Sequence, residues 1–516
     1  MRSTAPRLVS CLVLVLAAMQ PPRVEGQIPS LSTWFFTPPL ALAEHQAGAE
    51  HGYSLVVGDF NGDGREDFVS GLPFKDIDGV ENAGSVIAWI TGGIGTGELL
   101  ASASGALMEP FSHFGYAMAA ADLTDDGYDD LIIGMPGARS NGVAVGLIQV
   151  WLGGPDGLVY TVTAGFTDGQ PETQPGRRFG AALVATTDAV FVGAPGEIVG
   201  GLATGAVHYL TTDPSIGFCR GARLHQDSSN VPGLAEAGDA WGSSLALADV
   251  DLDAGTLDLI VGAPFEDIGT VHDAGAVWRL SLSGIDGRCT PGASLTAATS
   301  YRQGDGLLPG VPETGDRLGT AVATGNFDGA GGDDLAIGVP REDNESLSLG
   351  DTGCVHIVGD VGSLACRFAG DLGTLDAAPG QLTGSALAAG DYNLNGFDDL
   401  AIGMPGADKD FGRQGATSLA EGDASAGLLP RWTFFDSSDS NSFANYGTAV
   451  VFRHGNGESG PGLDLLVGNP GWDRFELSGP IERAGRVHQH RISEWQLFVD
   501  GFESGQLDAW TSSTQP

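Results

Sequence analysis

The sequence repeats one pattern seven times, and this repetition constrains the fold more than any other feature of the chain. Each repeat opens on a glycine, passes through two short apolar runs and then reaches Gly-x-Pro. The opening glycines lie 62 to 77 residues apart, at Gly52, Gly115, Gly180, Gly242, Gly319, Gly384 and Gly447. Such regular spacing is typical of tandem structural units.

The apolar runs have the length of strands. Examples are residues 131–133 and 400–402, and no segment after residue 30 has a convincing helical pattern. Small residues are frequent beside the opening glycines, which suits inner strands that crowd around a central channel. A repeat of roughly 60 residues is long enough for four strands. The sequence therefore predicts an all-β fold, a seven-bladed β-propeller of four-stranded blades.

The alternative architecture is an open solenoid. A solenoid needs polar capping repeats, and the first and last repeats here are as apolar as the middle ones. A closed ring must instead pair its chain ends, because an unpaired outer edge promotes aggregation. Residues 31–36, Leu-Ser-Thr-Trp-Phe-Phe, precede the first repeat where the other repeats put their outermost strand. We expect this N-terminal strand to close the last blade.

In three repeats the loop between the first two strands has the composition of a calcium site. Residues 59–67 place side-chain oxygens at loop positions 1, 3, 5 and 9 and a backbone carbonyl at position 7. Calcium prefers about six to eight oxygen ligands, and short Asp and Asn side chains on a tight turn supply several together. In all three repeats the first ligand lies 12 residues before the glycine of Gly-x-Pro. The predicted ligands are Asp59, Asn61, Asp63, Asp67 and the Arg65 carbonyl; Asp122, Thr124, Asp126, Asp130 and the Tyr128 carbonyl; and Asp391, Asn393, Asn395, Asp399 and the Phe397 carbonyl.

The fourth repeat has a similar but interrupted set of acids. Its candidate ligands are Asp249, Asp251, Asp253 and Asp258. One residue is inserted before the last of them, so the pattern leaves both binding and its absence open. For any single loop, a polar turn built from Asp, Asn and Gly without a metal is the simpler alternative.

The remaining three repeats are predicted to bind metal weakly or not at all. The fifth keeps Asn326, Asp328 and Asp334. Its position 5 is Ala330, which removes a ligand and predicts a weak or empty site. The third leaves room only for a short hairpin at 184–190, and the seventh has Arg453 and His454 where acids belong.

The repeat resembles a known family. Phe114-Gly115 and Phe179-Gly180, combined with Gly193-Ala194-Pro195 and Gly262-Ala263-Pro264, resemble the FG-GAP repeat of integrin α subunits and of their bacterial secreted relatives. The resemblance covers residues 30–495. It implies calcium with a structural role and a ligand face opposite the calcium loops, formed by the loops after Gly-x-Pro, such as 74–82, 138–143 and 265–273. The Phe of Phe-Gly is replaced in five repeats, by His51, Trp241, Leu318, Thr383 and Tyr446.

Composition and the chain termini indicate export. The formal net charge is −41, from 24 basic and 65 acidic residues, which disfavours nucleic acid as a partner. Residues 1–26 combine two early arginines, an apolar run and a small residue at the end, as in a secretory signal peptide. Cys11 precedes most of the apolar run, so lipidation is not expected. We therefore expect a signal peptide at 1–26, the propeller at 27–495 and a short acidic tail at 496–516, with secretion to the periplasm, cell surface or medium and no transmembrane segment.

Export permits disulfides. Cys354 and Cys366 flank a hairpin-like segment and are the expected pair, whereas Cys219 and Cys289 take equivalent places in adjacent repeats and are not expected to bond. His208, His356 and His488 fall at similar places in three repeats, which indicates a role in the blade scaffold.

These features favour a non-catalytic binding or adhesion module for an extracellular protein or glycan. The chain contains neither Gly-x-Ser-x-Gly nor His-Glu-x-x-His, and its clustered acids are already assigned to calcium. Two alternatives stay open: the propeller of a polysaccharide-degrading enzyme, a lyase or a hydrolase, and a purely structural envelope protein.

Overall fold

The computed structural model describes most of the repeat region and the strand before it. The described residues are 33–36 and 48–491, without 91–97, 102–108, 165–173, 214–216, 251–255, 284–293, 360–365, 374, 409–413, 425–426, 436–444, 455–462, 472–473, 477–478 and 482–485. The expected signal peptide and the C-terminal tail lie outside these residues. No helix in the described part of the chain is long and apolar enough to cross a membrane.

Seven antiparallel four-stranded sheets form the fold, which confirms the predicted seven-bladed β-propeller. The innermost strands are Leu55–Gly58, Met118–Ala121, Ala182–Ala185, Ser244–Ala248, Val322–Gly325, Ala386–Gly390 and Val450–His454. The second strands are Asp67–Leu72, Asp130–Met135, Ala189–Ala194, Thr256–Ala263, Asp334–Val339, Asp399–Met404 and Leu463–Asn469. The third strands are Ser85–Trp89, Leu147–Leu152, Ala206–Asp213, Ala276–Ser283, Cys354–Val358, Ala416–Asp423 and Arg486–Arg491. The outer strands are Glu98–Ala101, Val159–Ala164, Gly217–Leu224, Ser294–Tyr301, Arg367–Phe368, Gly427–Phe434 and Thr33–Phe36.

Small elements decorate the blades. Three two-stranded ribbons pair Arg139–Ser140 with Val143–Ala144, Ile198–Val199 with Leu202–Ala203, and Arg474–Glu476 with Gly479–Ile481. One short helix, Ala369–Leu372, follows the fifth blade, where the sequence had indicated no helix. Its N-cap residue is Phe368, whose N–H donates to the Asp371 carboxylate at 3.2 Å.

The repeated glycines mark where neighbouring blades touch. The glycine of Gly-x-Pro in each blade faces the carbonyl of the opening glycine in the next, so a Cβ on Gly71 would lie 2.2 Å from the Gly115 oxygen. The same contact recurs around the ring and ends with Gly468 against Gly52. A side chain at these positions would force adjacent blades apart, which explains why all seven repeats keep both landmarks.

The ring is closed, as predicted. Each innermost strand contacts the innermost strands of both neighbouring blades, including the first against the seventh. The strand Thr33–Phe36 pairs antiparallel with Arg486–Arg491 as the outer strand of the last blade. The open solenoid is therefore excluded, and the N-terminal strand covers the edge that the seventh repeat leaves unpaired.

Other sequence predictions about the scaffold are also confirmed. A disulfide joins Cys354 to Cys366, with Cα atoms 5.7 Å apart. His208, His356 and His488 are buried on third strands, each opposite an apolar residue of the second strand. Cys289 lies outside the described residues, so the expectation for Cys219 and Cys289 stays a prediction.

Candidate metal centres and the opposite face

The three complete loops share one hydrogen-bond pattern. In each, the first aspartate, Asp59, Asp122 or Asp391, accepts the backbone N–H of position 5 at 3.0 to 3.1 Å and that of position 6 at 2.8 Å. The side chain at position 5 accepts the N–H of position 7 at 2.8 to 3.1 Å. These bonds wind the loop around its own oxygens, so that the predicted ligands of positions 1, 3 and 5 line a single turn.

The acid at position 9 joins the end of each loop to its beginning by a hydrogen bond. Asp67, Asp130 and Asp399 are buried at the start of the second strand, and each accepts the N–H of position 2 at 2.9 to 3.2 Å. Burial raises the pKa of Asp130 to about 6 and that of Asp399 to about 8, against the lowering effect of backbone N–H donors. A neighbouring cation would favour the ionised form of these carboxyls.

The donor set fits a hard cation. Side-chain oxygens of Asp, Asn and Thr supply the lining, which is the chemistry that calcium prefers. Among the described loop residues, Thr124 Oγ1 in the second loop, Asp249 Oδ1 in the fourth and Asp328 Oδ2 in the fifth are buried without a hydrogen-bond partner. A buried oxygen without a hydrogen-bond partner lowers the stability of the folded protein unless another group binds it.

The fourth loop keeps its closing acid despite the inserted residue. Asp258 Oδ2 accepts the Val250 N–H at 3.1 Å, as position 9 does in the complete loops, and Asp258 Oδ1 accepts the Ser281 hydroxyl at 2.6 Å. Asp251 and Asp253 lie outside the described residues. The inserted residue therefore lies between Val250 and Asp258, before the closing acid.

The fifth loop is wound differently. Asn326 Oδ1 accepts the N–H of Gly329 at position 4, whereas the first residue of each complete loop accepts from positions 5 and 6. Asp334 still accepts the Phe327 N–H at 2.9 Å. The fifth loop thus keeps the hydrogen bond of its closing acid, Asp334. The bonds of its first residue, Asn326, differ from those in the complete loops, and Ala330 supplies no ligand at position 5.

The seventh blade contains a cation of its own. Asp464 is the closing acid by position, since it lies four residues before Gly468, as Asp67 does before Gly71. The Arg453 guanidinium lies 3.3 Å from the Asp464 carboxylate, and both side chains are buried. Arg453 stands where the metal-type blades have Gly or Ala, directly across from the closing acid. In the third blade, a turn of three residues, 186–188, joins the first two strands.

Sequence reasoning missed the acid at position 8. Asp129 Oδ2 accepts the N–H of Asp59 in the preceding blade at 2.9 Å, while its own N–H donates to the Asp59 carbonyl at 3.0 Å. Asp333 and Asp398 make the same pair of hydrogen bonds to position 1 of the loop in the preceding blade. The partner of Asp333 is Asp249, and the partner of Asp398 is Asn326. The signal was a recurrent acid directly before position 9, but its partner lies 70, 84 or 72 residues away in another repeat.

Glu66 extends this series across the ring closure. It holds position 8 of the first loop, and its carboxylate accepts the His454 N–H at 2.6 Å and contacts His454 Nδ1 at 2.9 Å. Position 8 therefore links a loop to the equivalent loop of the preceding blade, and this includes the first and seventh blades at the ring closure.

The hairpins after Gly-x-Pro lie at the other ends of the blades. In five blades the end of this hairpin pairs with the residue that precedes the next opening glycine, as Gly84 does with Phe114 and Gly205 with Trp241. Hairpins and inter-blade connections therefore form one continuous face. The loops 74–82, 138–143 and 265–273 all lie on it.

Part of this face is aromatic. The rings of Tyr53 and Tyr116 lie 5.2 Å apart, Tyr53 and Phe74 lie 5.4 Å apart, and Phe74 and His113 lie 5.3 Å apart. The Arg178 guanidinium lies 5.9 Å from the centre of the Tyr116 ring. We call these five residues the aromatic group.

A buried ion cluster supports the same face in the third blade. Glu197 contacts Arg177 at 2.7 Å, His208 at 2.6 Å and Arg223 at 3.1 Å. Burial alone would raise the pKa of Glu197, but the hydrogen bonds and charges of His208 and Arg177 lower it to about 2. Because cations occupy both oxygens, this carboxylate anchors the hairpin.

Seven closed blades with acidic loops at one end define a β-propeller with candidate cation loops. Four segments match the FG-GAP repeat family, at residues 51–89, 114–151, 241–278 and 383–419. These are the blades with the three complete loops and the blade with the interrupted loop. The chain is thus a seven-bladed β-propeller with four FG-GAP repeats, and in these repeats it is similar to integrin α subunits.

Integrin α subunits and a phospholipase D are among the known proteins with similar segments. Integrin alpha pat-2 of Caenorhabditis briggsae is 32% identical over 185 residues, which is 33% of this chain and 15% of that protein. Integrin alpha-V of Gallus gallus is 40% identical over 92 residues, 16% of this chain and 7% of that protein. Phosphatidylinositol-glycan-specific phospholipase D of Bos taurus is 33% identical over 178 residues, 32% of this chain and 20% of that protein. Each match therefore spans a fifth of the relative or less.

Proposed function

We propose that this chain is a secreted, calcium-stabilised propeller that binds an extracellular protein or glycan without catalysis. The observation that carries the calcium assignment is the common winding of the three complete loops around their predicted ligands. The ligands are those named from the sequence, with Asp249, Asp251, Asp253 and Asp258 as the additional, interrupted set. The FG-GAP matches at the same four blades support this proposal.

Calcium would supply charge compensation and rigidity. Each complete loop brings carboxylates or amide oxygens close together, and without a cation their mutual repulsion and the burial of position 9 oppose the loop. Position 8 of the same loops bonds to a neighbouring blade. Fixing a loop would therefore also fix the contact between blades.

The binding role rests on the opposite face. Its hairpins and connections stand on a closed, rigid ring, which is how recognition loops are commonly displayed. The aromatic group offers ring surfaces together with the Arg178 cation, features that are enriched where proteins bind partners. The similarity to integrin α subunits supports this binding role. The similarity to a phospholipase D supports the alternative, that the chain is part of an enzyme.

The test combines ion counting with ligand binding. Native mass spectrometry of the full chain should show at least three calcium ions, which chelation removes with a fall in melting temperature. Arrays of extracellular matrix proteins and glycans should show calcium-dependent binding that Phe74→Ala weakens and Val159→Ser, at the other end of the blades, does not. Turnover of a polysaccharide or of a glycosyl-phosphatidylinositol substrate would overturn the non-catalytic role, and the absence of bound calcium would overturn the metal assignment.

A further inference from the structure

Two adjacent inter-blade connections carry the same eight-residue pattern, Pro-Gly-(Leu/Val)-x-Glu-x-Gly-Asp. The pattern occupies residues 232–239 before the fourth blade and 309–316 before the fifth. We call these stretches the tip segments. The five other connections do not contain it, so it is a local feature of two neighbouring blades and not part of the sevenfold repeat.

Each tip segment exposes a large aliphatic side chain. Leu234 is 77% exposed and Val311 is 65% exposed, at equivalent places in the two segments. Leu307 in the second connection and Leu347 in the hairpin of the fifth blade are 47% and 57% exposed. Single exposed aliphatic residues are ordinary, but four on neighbouring loops of one face mark an interaction surface.

Hydrogen bonds to buried residues fix the tip segments in place. Asp239 and Asp316 are buried, and each accepts the N–H of the glutamate three residues earlier, Glu236 at 2.6 Å and Glu313 at 2.5 Å. The Trp278 indole N–H also donates to the Pro232 carbonyl at 2.8 Å. Because the loops are anchored, their aliphatic tips cannot fold back into the core, and a partner that covers them does so with little loss of loop entropy.

One contact joins the first tip segment to the connection that carries the second. Gly233 lies against the Arg302 guanidinium, and Arg302 begins the connection that carries Leu307 and Val311. Further along, the Glu313 side chain lies beside Glu345 and near Asp343 in the hairpin of the fifth blade. The surface therefore runs from the fourth blade, through the second connection, to the hairpin that carries Leu347.

The charge of this surface is acidic. Glu313, Asp343 and Glu345 lie close to one another. Of the nearby cations, Arg302 contacts the Glu266 carboxylate at 3.3 Å and Arg317 lies 5.0 Å from the Phe265 ring centre. Arg341 is the remaining exposed cation of the hairpin. Acids thus outnumber the cations that could neutralise them, and a polyanionic ligand would be repelled.

We propose that the tip segments and the acidic hairpin at 343–347 bind a basic protein segment whose Lys or Arg side chains are flanked by aliphatic ones. This proposal rests on the binding role proposed above and assigns to it a protein ligand of defined chemistry. Aliphatic side chains of the ligand cover Leu234, Val311 and Leu347, while its cations approach Glu313 and Glu345.

The test uses fluorescent peptides and the intact chain in calcium. The probe is a twelve-residue alternating Leu-Lys peptide, compared with Leu-Glu and Ser-Lys peptides of the same length, and binding is measured by fluorescence anisotropy at low and high salt. We expect the Leu-Lys peptide to bind at least tenfold more tightly than either comparison peptide. Hydrogen exchange should show protection at 232–236, 309–313 and 343–347.

Matched variants separate this surface from non-specific attraction to an acidic protein. The double variant Leu234→Ser with Val311→Ser changes no charge, and we expect it to weaken Leu-Lys binding at least tenfold. Glu313→Gln with Glu345→Gln should weaken binding and reduce its dependence on salt. Val159→Ser, an exposed aliphatic residue at the other end of the blades, serves as the control.

Three results would overturn the proposal: no binding of the Leu-Lys peptide, equal binding of the Ser-Lys peptide, or equal losses in the double variant and the Val159→Ser control. If a ligand then bound through 74–82, 138–143 or 265–273, the general binding role would stand while this surface assignment failed. Enzymatic turnover would contradict the general role and leave the peptide result to be judged by itself.

Discussion

At the scale of single residues, the first aspartate of each complete loop has two tasks. Asp122 holds the loop through two backbone N–H groups and is also a predicted calcium ligand. Asp125, three residues later, is an exposed acid of the same loop with φ of 56°, and it is not a predicted ligand. The pair separates ligation from general loss of negative charge.

We predict that Asp122→Asn removes one calcium ion from the native mass spectrum and lowers the melting temperature in calcium by several degrees. Asparagine keeps one oxygen but loses the charge and the second acceptor. Asp125→Asn should leave the ion count unchanged, because asparagine tolerates positive φ and no ligand is lost. Equal behaviour of the two variants would return this loop to the simpler interpretation of a polar turn.

At the scale of elements, the regular features were predictable and the contacts between repeats were not. Opening glycines, Gly-x-Pro and the oxygen pattern of residues 59–67 lie within one repeat, so periodicity and ligand chemistry predicted the blades and the candidate ligands. The partner of Asp129 lies in another blade, and nothing within its own repeat indicates that contact. Asp464 could have been identified by its fixed distance from Gly468, but its pairing with Arg453 needed the fold.

The position-8 acids lead to a prediction about blade contacts. Asp398 Oδ2 accepts the Asn326 N–H at 2.8 Å, so Asp398→Ala leaves a partly buried donor without its partner. Such a loss costs about 1 to 3 kcal/mol. We expect a corresponding fall in the free energy of unfolding by urea, measured in chelator so that calcium binding makes no contribution.

Two controls accompany this measurement. Asp398→Asn keeps an acceptor oxygen and should recover much of the stability, whereas Asp188→Ala, in the exposed turn of the third blade, should have little effect. Equal stability of the Asp398→Ala variant and the unaltered chain would show that position 8 does not hold adjacent blades together.

At the scale of the whole molecule, burial of acids under the tip segments couples the stability of the ring to pH. Burial, followed by the charge of Glu342, raises the pKa of Asp316 to about 8. The pKa values of Glu342 and Glu266 are raised to about 7, again first by burial. A folded pKa above the unfolded value means that the folded state binds more protons, so these groups favour folding at acidic pH and lose that contribution as pH rises through their folded pKa values.

We therefore predict that, in chelator, the melting temperature falls between pH 6 and pH 8.5. A difference of one unit between folded and unfolded pKa corresponds to about 1.4 kcal/mol, so a pair of such carboxyls is enough for a measurable slope. The double variant Asp316→Asn with Glu342→Gln should reduce the slope, because both replacements are neutral at every pH and retain a hydrogen-bond acceptor, while Asp399 and Glu266 keep the remainder. Asp343→Asn, an exposed neighbour, should keep most of it. A melting temperature that rises over this range would contradict the assignment, since ionisation of the buried acids would then stabilise the ring instead of opposing it.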